Sequence, residues 1–296
     1  MYTTLISVPQ LHALQSSDQP FMIFDCSFEL MEPAAGNVQF QQNHIPGAVR
    51  ADLDQHLSAS KTAADAVSGG RHPLPSRESF AAWLSSMGFS NTMQAVVYDR
   101  QGATYCGRLW WMLKWAGHEA VAVLDGGLQA WQAGGGRTQS DLEAPRHEHH
   151  TGSASAFESA FMLQPAKTTL VSTPTIYQQL GRPEQFLIDA RGAPRFKGEV
   201  EPLDPVAGHI PGAMNRPFVS NFGADGKFKA PTVLRAEFEA LLAGRDPATV
   251  VHMCGSGVSV VPNIIAMEVA GLGRTALYAG SWSEWCSDPS RAMAQG

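Results

Sequence analysis

The chain has 296 residues, enough for two domains that each bury a core of their own. Its 44% hydrophobic and 16% charged residues are typical of a soluble globular protein, and a net charge of −6 disfavours nucleic acid or an anionic membrane as partner. Four cysteines are too few for a disulfide scaffold and indicate a reducing compartment. Because the sequence has neither a signal-peptide pattern nor a long unbroken apolar run, we expect a cytoplasmic protein.

Short apolar runs alternate with helix-like stretches along the first half of the chain. Strands that alternate with helices favour a mainly parallel sheet with helices on both faces, so an α/β fold is expected. The predicted elements of this half are strands at residues 21–25, 95–99 and 121–125, a weakly helical stretch around Phe80 and Trp83, and helical patterns at residues 105–116 and 128–131.

The same order of elements returns in the second half. The motif HIPGA stands at residues 44–48 and again at 209–213, at nearly the same distance after the strand-end acids Asp25 and Asp189. Two copies of one α/β unit are therefore predicted, each a mainly parallel sheet flanked by helices. Each motif contains one histidine, His44 in the first copy and His209 in the second. We expect both to be structural, because a histidine stands at this position in both copies.

These copies predict two domains, at residues 1–140 and 167–296, joined by a linker at 141–166. The linker region is rich in Gly, Ser, His and charge, as flexible connections are. It contains RHEHH at residues 146–150, which has the composition of a metal-binding cluster. Adjacent histidines on a flexible linker are not held in a coordination geometry, so no metal site is predicted there.

The most informative stretch of the second half is VVHMCGSGVSVVPNIIAMEVAGLG, residues 250–273. A strand end precedes Cys254, and an apolar run at helical spacing follows from residue 258 to 272. Gly255 and Gly257 permit positive φ, so successive N–H groups can turn toward one point, which the positive end of the helix also faces. A thiol at this point should favour the thiolate. A buried and inert cysteine in a strand-to-helix turn is the simpler alternative.

The two copies, their HIPGA motifs, DGGLQAW at 125–131 and AGSWSEW at 279–285 resemble the tandem rhodanese-domain sulfurtransferases over nearly the whole chain. The loop CGSGVS is similar to the CGSGVT loop of the 3-mercaptopyruvate sulfurtransferases. Thiosulfate sulfurtransferases carry basic residues directly after the cysteine, where this chain has Gly255 and Ser256. The resemblance implies that only the second copy is catalytic, because the first has Asp99 where the second has Cys254, and a carboxylate cannot hold a sulfane sulfur.

The resemblance also implies the reaction. A thiolate attacks the sulfur of 3-mercaptopyruvate, pyruvate leaves, and a thiol, cyanide or thioredoxin removes the outer sulfur of the resulting persulfide. The scheme requires no metal and no organic cofactor. Cys106 is expected in the core, whereas Cys26 and Cys286 have no assigned role. The implied persulfide is carried by Cys254 and stabilised by N–H groups of the loop residues Gly255, Ser256, Gly257, Val258 and Ser259.

Arginine side chains are expected to bind the carboxylate and ketone of this substrate, because a guanidinium matches them with paired donors. Arg195 matches the substrate-binding arginine of the family, and Arg191 beside it is expected to brace the loop. A second family arginine is missing, since its position is Asp204. Some members use an arginine next to a histidine in the first copy instead, and Arg71 fits that version. A solvated loop charge is the equally weighted alternative for Arg71.

A serine, histidine and aspartate relay is the last feature that the resemblance implies. Ser256, His72 and Asp54 match its members, and together they could carry the thiol proton of the substrate. Because Asp54 and His72 belong to the first copy and Ser256 to the second, the site would be a cleft between domains. The alternatives are a surface acid for Asp54 and a loop-shaping hydroxyl for Ser256.

Three competing functions differ in what they need around the cysteine. A phosphatase on this fold needs an arginine at the sixth position after the cysteine, where this chain has Val260, so that function is disfavoured. A thiosulfate sulfurtransferase differs only in its donor and is the main alternative. A non-catalytic persulfide carrier needs only an accessible thiol, and the arginines argue for a small-molecule donor instead.

Overall fold

The computed structural model describes residues 1–141 and 160–296. It contains two five-stranded sheets with the same strand order, and every strand pair within them is parallel. The predicted α/β repeat is thereby confirmed. Most of the predicted linker and the RHEHH cluster lie outside the described residues, so the domain boundaries stay a prediction. No helix in the described parts of the chain is long and apolar enough to cross a membrane.

In the first sheet the strand order is β1-β5-β4-β2-β3. The strands are β1 Leu5–Ile6, β2 Phe21–Asp25, β3 Val49–Arg50, β4 Gln94–Tyr98 and β5 Val121–Leu124. The helices are α1 Val8–Gln15, α2 Ala35–Gln42, α3 Arg77–Ser86, α4 Cys106–Trp115 and α5 Gly127–Ala133.

The second sheet repeats this order as β6-β10-β9-β7-β8. Its strands are β6 Thr169–Leu170, β7 Leu187–Asp189, β8 Met214–Asn215, β9 Val251–Met253 and β10 Ala276–Leu277. The helices are α6 Thr173–Gln179, α7 Ala193–Lys197, α8 Pro231–Leu242, α9 Val261–Val269 and α10 Ser281–Trp285, with 3-10 turns at Phe218–Asn221 and Pro247–Thr249.

The helix after the cysteine loop begins later than its apolar pattern predicts. The pattern starts at residue 258, but α9 begins at Val261, and the residues before it form turns in which Val261 N donates to Val258 O at 3.2 Å. Pro262 lies in the first turn of the helix, where its missing N–H has no helical partner to lose. The delay leaves the whole CGSGVS segment as a loop.

The histidines of the two HIPGA motifs occupy equivalent structural positions. His44 stacks on Phe40 and its Nδ1 lies 2.7 Å from the Phe40 carbonyl, while His209 stacks on Phe196 with its Nδ1 2.9 Å from that carbonyl. Each also pairs through its backbone with a distant residue, Gln139 and Ala294 respectively. Both histidines therefore stabilise turns, as expected.

In the first copy, the loop equivalent to the cysteine loop is filled by a carboxylate. Asp99 is buried, and its two oxygens accept hydrogen bonds of 2.8 to 3.0 Å from four backbone N–H groups. Burial raises the pKa of Asp99, and the bonds from the N–H groups oppose that rise. The first loop thus has the inward N–H groups expected of an anion-binding loop, and its own side chain fills it. The donors belong to Gln101, Ala103, Tyr105 and Cys106.

Helices α4 and α9 pack directly against each other and join the two copies. A Cβ on Gly107 would lie 3.2 Å from the Val261 side chain, a tight contact, so the helices approach closely at this glycine. Farther along, the buried Lys114 pairs with Glu268 at 2.8 Å. One continuous apolar cluster contains residues of both copies. The packing places the loop before α9 against the first copy.

Candidate functional site

Cys254 directly follows β9, at the carboxyl end of a central strand of the second sheet. Its side chain is buried, with 1% of its surface exposed. Gly257 has φ of 74°, and a Cβ there would lie 2.3 Å from the Ala279 carbonyl oxygen. Gly255 is outside the left-handed region, so the expectation that both glycines use positive φ is correct for Gly257 only. Gly257 makes the turn, and Gly255 leaves space.

Residues at the start of α10 form hydrogen bonds with the cysteine loop. The N–H groups of Trp282 and Ser283 donate to the carbonyls of Cys254 and Gly255 at 3.0 and 2.9 Å, and Ser281 Oγ accepts from Cys254 N at 3.1 Å. These bonds turn two loop carbonyls away from the thiol side. The first copy has a matching bond from Leu128 N to the Asp99 carbonyl. The motifs AGSWSEW and DGGLQAW therefore shape the loops of their respective copies.

The three residues of the expected relay lie together. His72 Nδ1 is 2.9 Å from Ser256 Oγ, and His72 Nε2 is 3.5 Å from Asp54 Oδ1. A neutral ring that carries its proton on Nε2 presents the lone pair of Nδ1 to the serine hydroxyl. The Asp54 side chain is 45% exposed, so its interaction with the ring is screened by water and weaker than a buried pair.

The segment that carries His72 is fastened to the second copy. Arg71 N donates to Ser283 Oγ at 3.0 Å, and Gly69 N donates to Glu284 Oε2 at 3.0 Å. A Cβ on Gly70 would lie 2.8 Å from the Gly280 carbonyl, so the backbone passes tightly against α10. The helix that supports the cysteine loop therefore also positions the histidine segment.

Two arginines from different copies meet beside the cysteine and share one acid. Arg71 Nη1 lies 2.6 Å from Asp204 Oδ1, and Arg195 Nη2 lies 3.2 Å from Asp204 Oδ2. Arg195 also pairs with Glu201 at 2.6 Å. A Cβ on Gly255 would lie 3.1 Å from Arg71 Nη2 and 3.5 Å from Arg195 Nη1. Both guanidinium groups therefore border the position next to the cysteine, and Arg71 is not a freely solvated loop charge.

Asp204 stands at the position of the missing family arginine. Its carboxylate bridges the two arginines that are present. Arg191 bonds to Asp189 at 2.7 Å and to the Gly208 carbonyl at 2.7 Å, and so braces the loop as expected.

The remaining predicted residues line a small cleft between the copies. Val258 is buried and Ser259 is half-buried, and both border the cleft together with Gly255 and Ser256. The sequence did not indicate the apolar wall of the cleft, because single apolar residues in loops carry no periodic signal. That wall and its polar neighbours comprise Leu30, Leu53, Thr104, Tyr105 and Leu203.

Sequence reasoning also missed Arg108, which lies inside α4 of the first copy. Its side chain is fully buried, and its guanidinium donates to the carbonyls of Gly257 at 3.1 Å, His72 at 3.1 Å and Leu57 at 3.3 Å. It therefore contacts the cysteine loop and the histidine segment at once. A charged residue within an apolar helical run was the available signal.

The other three cysteines are poor competitors for the chemistry. All three are buried. Burial, together with nearby carboxylates, raises the pKa of the Cys26 and Cys106 thiols well above their usual value and the pKa of Cys286 to about 11. These thiols stay protonated at neutral pH and are weak nucleophiles. Cys106 lies in the core as expected.

A two-domain α/β protein with a cysteine loop in its second copy is the class that this fold and site define. The rhodanese-like domain model matches residues 7–134 and 172–288. The chain is 42% identical to a probable 3-mercaptopyruvate sulfurtransferase of Pseudomonas aeruginosa, over 99% of this chain and 98% of the relative. It is 37% identical to a putative thiosulfate sulfurtransferase of Mycobacterium tuberculosis, over 99% and 97% respectively.

Two solved structures are also similar to nearly the whole chain. A 3-mercaptopyruvate sulfurtransferase from Leishmania major has a TM-score of 0.78 at 29% identity, covering 96% of this chain and 74% of that one. The Tum1 protein from Saccharomyces cerevisiae has a TM-score of 0.79 at 25% identity, covering 99% and 98%. The chain belongs to the rhodanese-like domain family.

The surroundings of His72 predict a pKa well below that of an exposed histidine. Burial, with the charges of Arg108, Arg71 and Lys61, lowers the pKa of His72 to about 3. The ring should stay neutral at pH 5, where an exposed histidine is protonated. Nuclear magnetic resonance of ring-labelled protein, with His72→Gln to assign the signal, measures this directly. A midpoint near 6.5 would show that the ring is not desolvated as the structure indicates.

Proposed function

We propose that this chain transfers a sulfane sulfur from 3-mercaptopyruvate to a thiophilic acceptor through a persulfide on Cys254, releasing pyruvate. One observation carries the proposal: Arg71 and Arg195 converge on the position beside a buried cysteine that also has a serine and histidine pair next to it. This combination suits a donor that has a carboxylate at one end and a thiol at the other.

The reaction begins with attack of the Cys254 thiolate on the sulfur of the donor. A sulfur–sulfur bond forms and the carbon–sulfur bond breaks, and its electron pair passes into the enolate of pyruvate, which the adjacent ketone stabilises. The thiol proton of the donor moves through the Ser256–His72 pair to the enolate carbon in one concerted step, because a pKa of about 3 disfavours a free imidazolium at His72. Pyruvate and a persulfide anion on Cys254 are the products.

The two arginines bind and orient the donor in this scheme. Their guanidinium groups hold its carboxylate and ketone, which points the thiol end toward Cys254. Loop N–H groups near residues 255–259 stabilise the persulfide anion. A thiol, cyanide or a thioredoxin-like protein then attacks the outer sulfur, and the thiolate is restored.

Thiosulfate is the second candidate donor, and one relative carries that activity in its name. The charge around the cleft favours mercaptopyruvate. Asp204 and Glu201 offset the positive charge of Arg71 and Arg195, and no basic side chain follows Cys254 directly. Thiosulfate, a compact dianion, would gain little binding energy in this cleft. A non-catalytic carrier fits less well, because a carrier needs only a thiol and has no use for the two arginines that border Gly255.

Replacing Cys254 with serine tests the proposal most simply. Cys254→Ser should abolish sulfur transfer and leave the fold intact, since oxygen cannot form the persulfide. Intact-mass spectrometry of the native chain after donor treatment should show one added sulfur that cyanide removes. Cys286→Ser is the matched control and should keep both the added sulfur and the activity. Sulfur on another cysteine, or activity in Cys254→Ser, would end the assignment.

The balance of charge predicts the choice of donor. The native chain should have a higher kcat/KM with mercaptopyruvate than with thiosulfate. Asp204→Asn removes one negative charge from the cleft and should shift that ratio toward thiosulfate by about three- to tenfold, as expected for roughly 1 kcal/mol of screened attraction. Steady-state assays with both donors measure the ratio.

A matched control for this comparison is Glu199→Gln, which removes the same charge from the exposed pair with Lys197. It should leave the ratio unchanged. A native preference for thiosulfate, or an equal shift in both variants, would contradict the interpretation of the cleft.

A further inference from the structure

Arg108 is a buried cation with an unusual set of partners. Its side chain has no exposed surface, and its guanidinium bonds to three carbonyl oxygens, those of Gly257, His72 and Leu57. Its Nε has no partner in the described structure. The carbonyl oxygens accept from both terminal nitrogens but leave the net charge of the guanidinium uncompensated. A buried charge is normally retained only where an opposite charge is close.

Other arginines near the cleft have such acids. Arg71 pairs with Asp204, Arg195 with Glu201 and Asp204, and Arg191 with Asp189. Within residues 1–141 and 160–296, Arg108 makes no ion pair with an Asp or Glu. The arginines that border the cleft are thus largely neutralised by acids, whereas the buried Arg108 is not.

The position of Arg108 indicates which anion it faces. The Gly257 carbonyl belongs to the same tight loop as Cys254, and Gly107, next to Arg108, packs on Val261 at the start of α9. The guanidinium therefore contacts the backbone of the cysteine loop directly. Burial lowers the pKa of Arg108 to about 9, and the negative charge of Cys254 acts to raise it. The guanidinium is protonated at neutral pH.

We infer that Arg108, contributed by the non-catalytic copy, is the counter-cation of the Cys254 thiolate and of the persulfide that replaces it. The carbonyl bonds hold the guanidinium against the loop, and its uncompensated charge favours the anionic form of the sulfur. In the low-dielectric interior this attraction is not screened as it is at the surface. The inference rests on the proposed function only in taking Cys254 as the reacting thiol.

Thiolate absorbance near 240 nm tests this without any sulfur donor. For each variant, the pH titration of the same variant carrying Cys254→Ser is subtracted, so that only Cys254 contributes. Arg108→Gln keeps hydrogen-bond donors and loses the charge, whereas Arg108→Lys keeps the charge and loses donors. The Gln variant should raise the midpoint by about one pH unit or more, and the Lys variant should stay near the native midpoint.

The matched control is Lys114→Met on the same helix. Lys114 is also a buried cation between the copies, but its charge is paired with Glu268. Its removal should leave the midpoint unchanged. If Arg108→Gln leaves the midpoint unchanged as well, or if the Gln and Lys variants shift it equally, the guanidinium is only a structural tie and the inference is wrong.

A second measurement covers the case in which Arg108→Gln does not fold. Cys254→Asp places a carboxylate beside Arg108, and Cys254→Asn places an uncharged amide of the same size there. At neutral pH the Asp variant should have the higher free energy of unfolding, because its buried charge is paired, whereas an equal or lower value would overturn the inference. Because neither measurement uses a donor, the wrong donor in the proposed function would leave both results intact.

Discussion

The hydrogen bond between His72 and Ser256 is the contact on which the site depends, because it joins a histidine from the first copy to the cysteine loop of the second. Close packing of α4 on α9 and docking of the histidine segment on α10 make that bond possible. The first copy supplies His72 and Arg71 to the candidate site, and its own loop is occupied by Asp99.

Charge in the site is arranged in two layers. Arg71 and Arg195 face the cleft, where Asp204 and Glu201 fix their geometry and reduce their net charge. Arg108 donates to the Gly257 carbonyl of the cysteine loop, and no acid among the described residues forms an ion pair with it. In the scheme proposed above, the arginines at the cleft select the donor by shape and hydrogen bonding, and Arg108 stabilises the sulfur anion.

Much of the fold could be predicted from the sequence, because strands such as Phe21–Asp25 and Leu187–Asp189 are continuous apolar runs and the repeat fixes their order. The two-residue edge strands, β1 and β6 for example, could not, since two residues carry no periodicity. The start of α9 was predicted too early because Val258 and Val260 are apolar for burial in the loop region, not for a helical face.

The site was predicted unevenly for similar reasons. Resemblance to a family located Ser256, His72 and Asp54, which lie far apart in sequence and come together in the fold. It showed that an arginine is missing at Asp204, but a motif does not show that the replacing carboxylate pairs with Arg71 and Arg195. Arg108 stands out as a charge within the apolar run of α4, but the sequence does not show which three carbonyl oxygens it contacts.

The central claim is that a histidine of one copy acts on a reaction in the other, and a double-mutant cycle tests it most directly. His72→Ala and Ser256→Ala should each lower kcat with mercaptopyruvate by about 10²-fold or more, and the double variant should be little worse than either, because the two residues move one proton as a unit. Turnover of thiosulfate, which has no thiol proton, should change much less. Additive losses, or equal losses with both donors, would contradict the account.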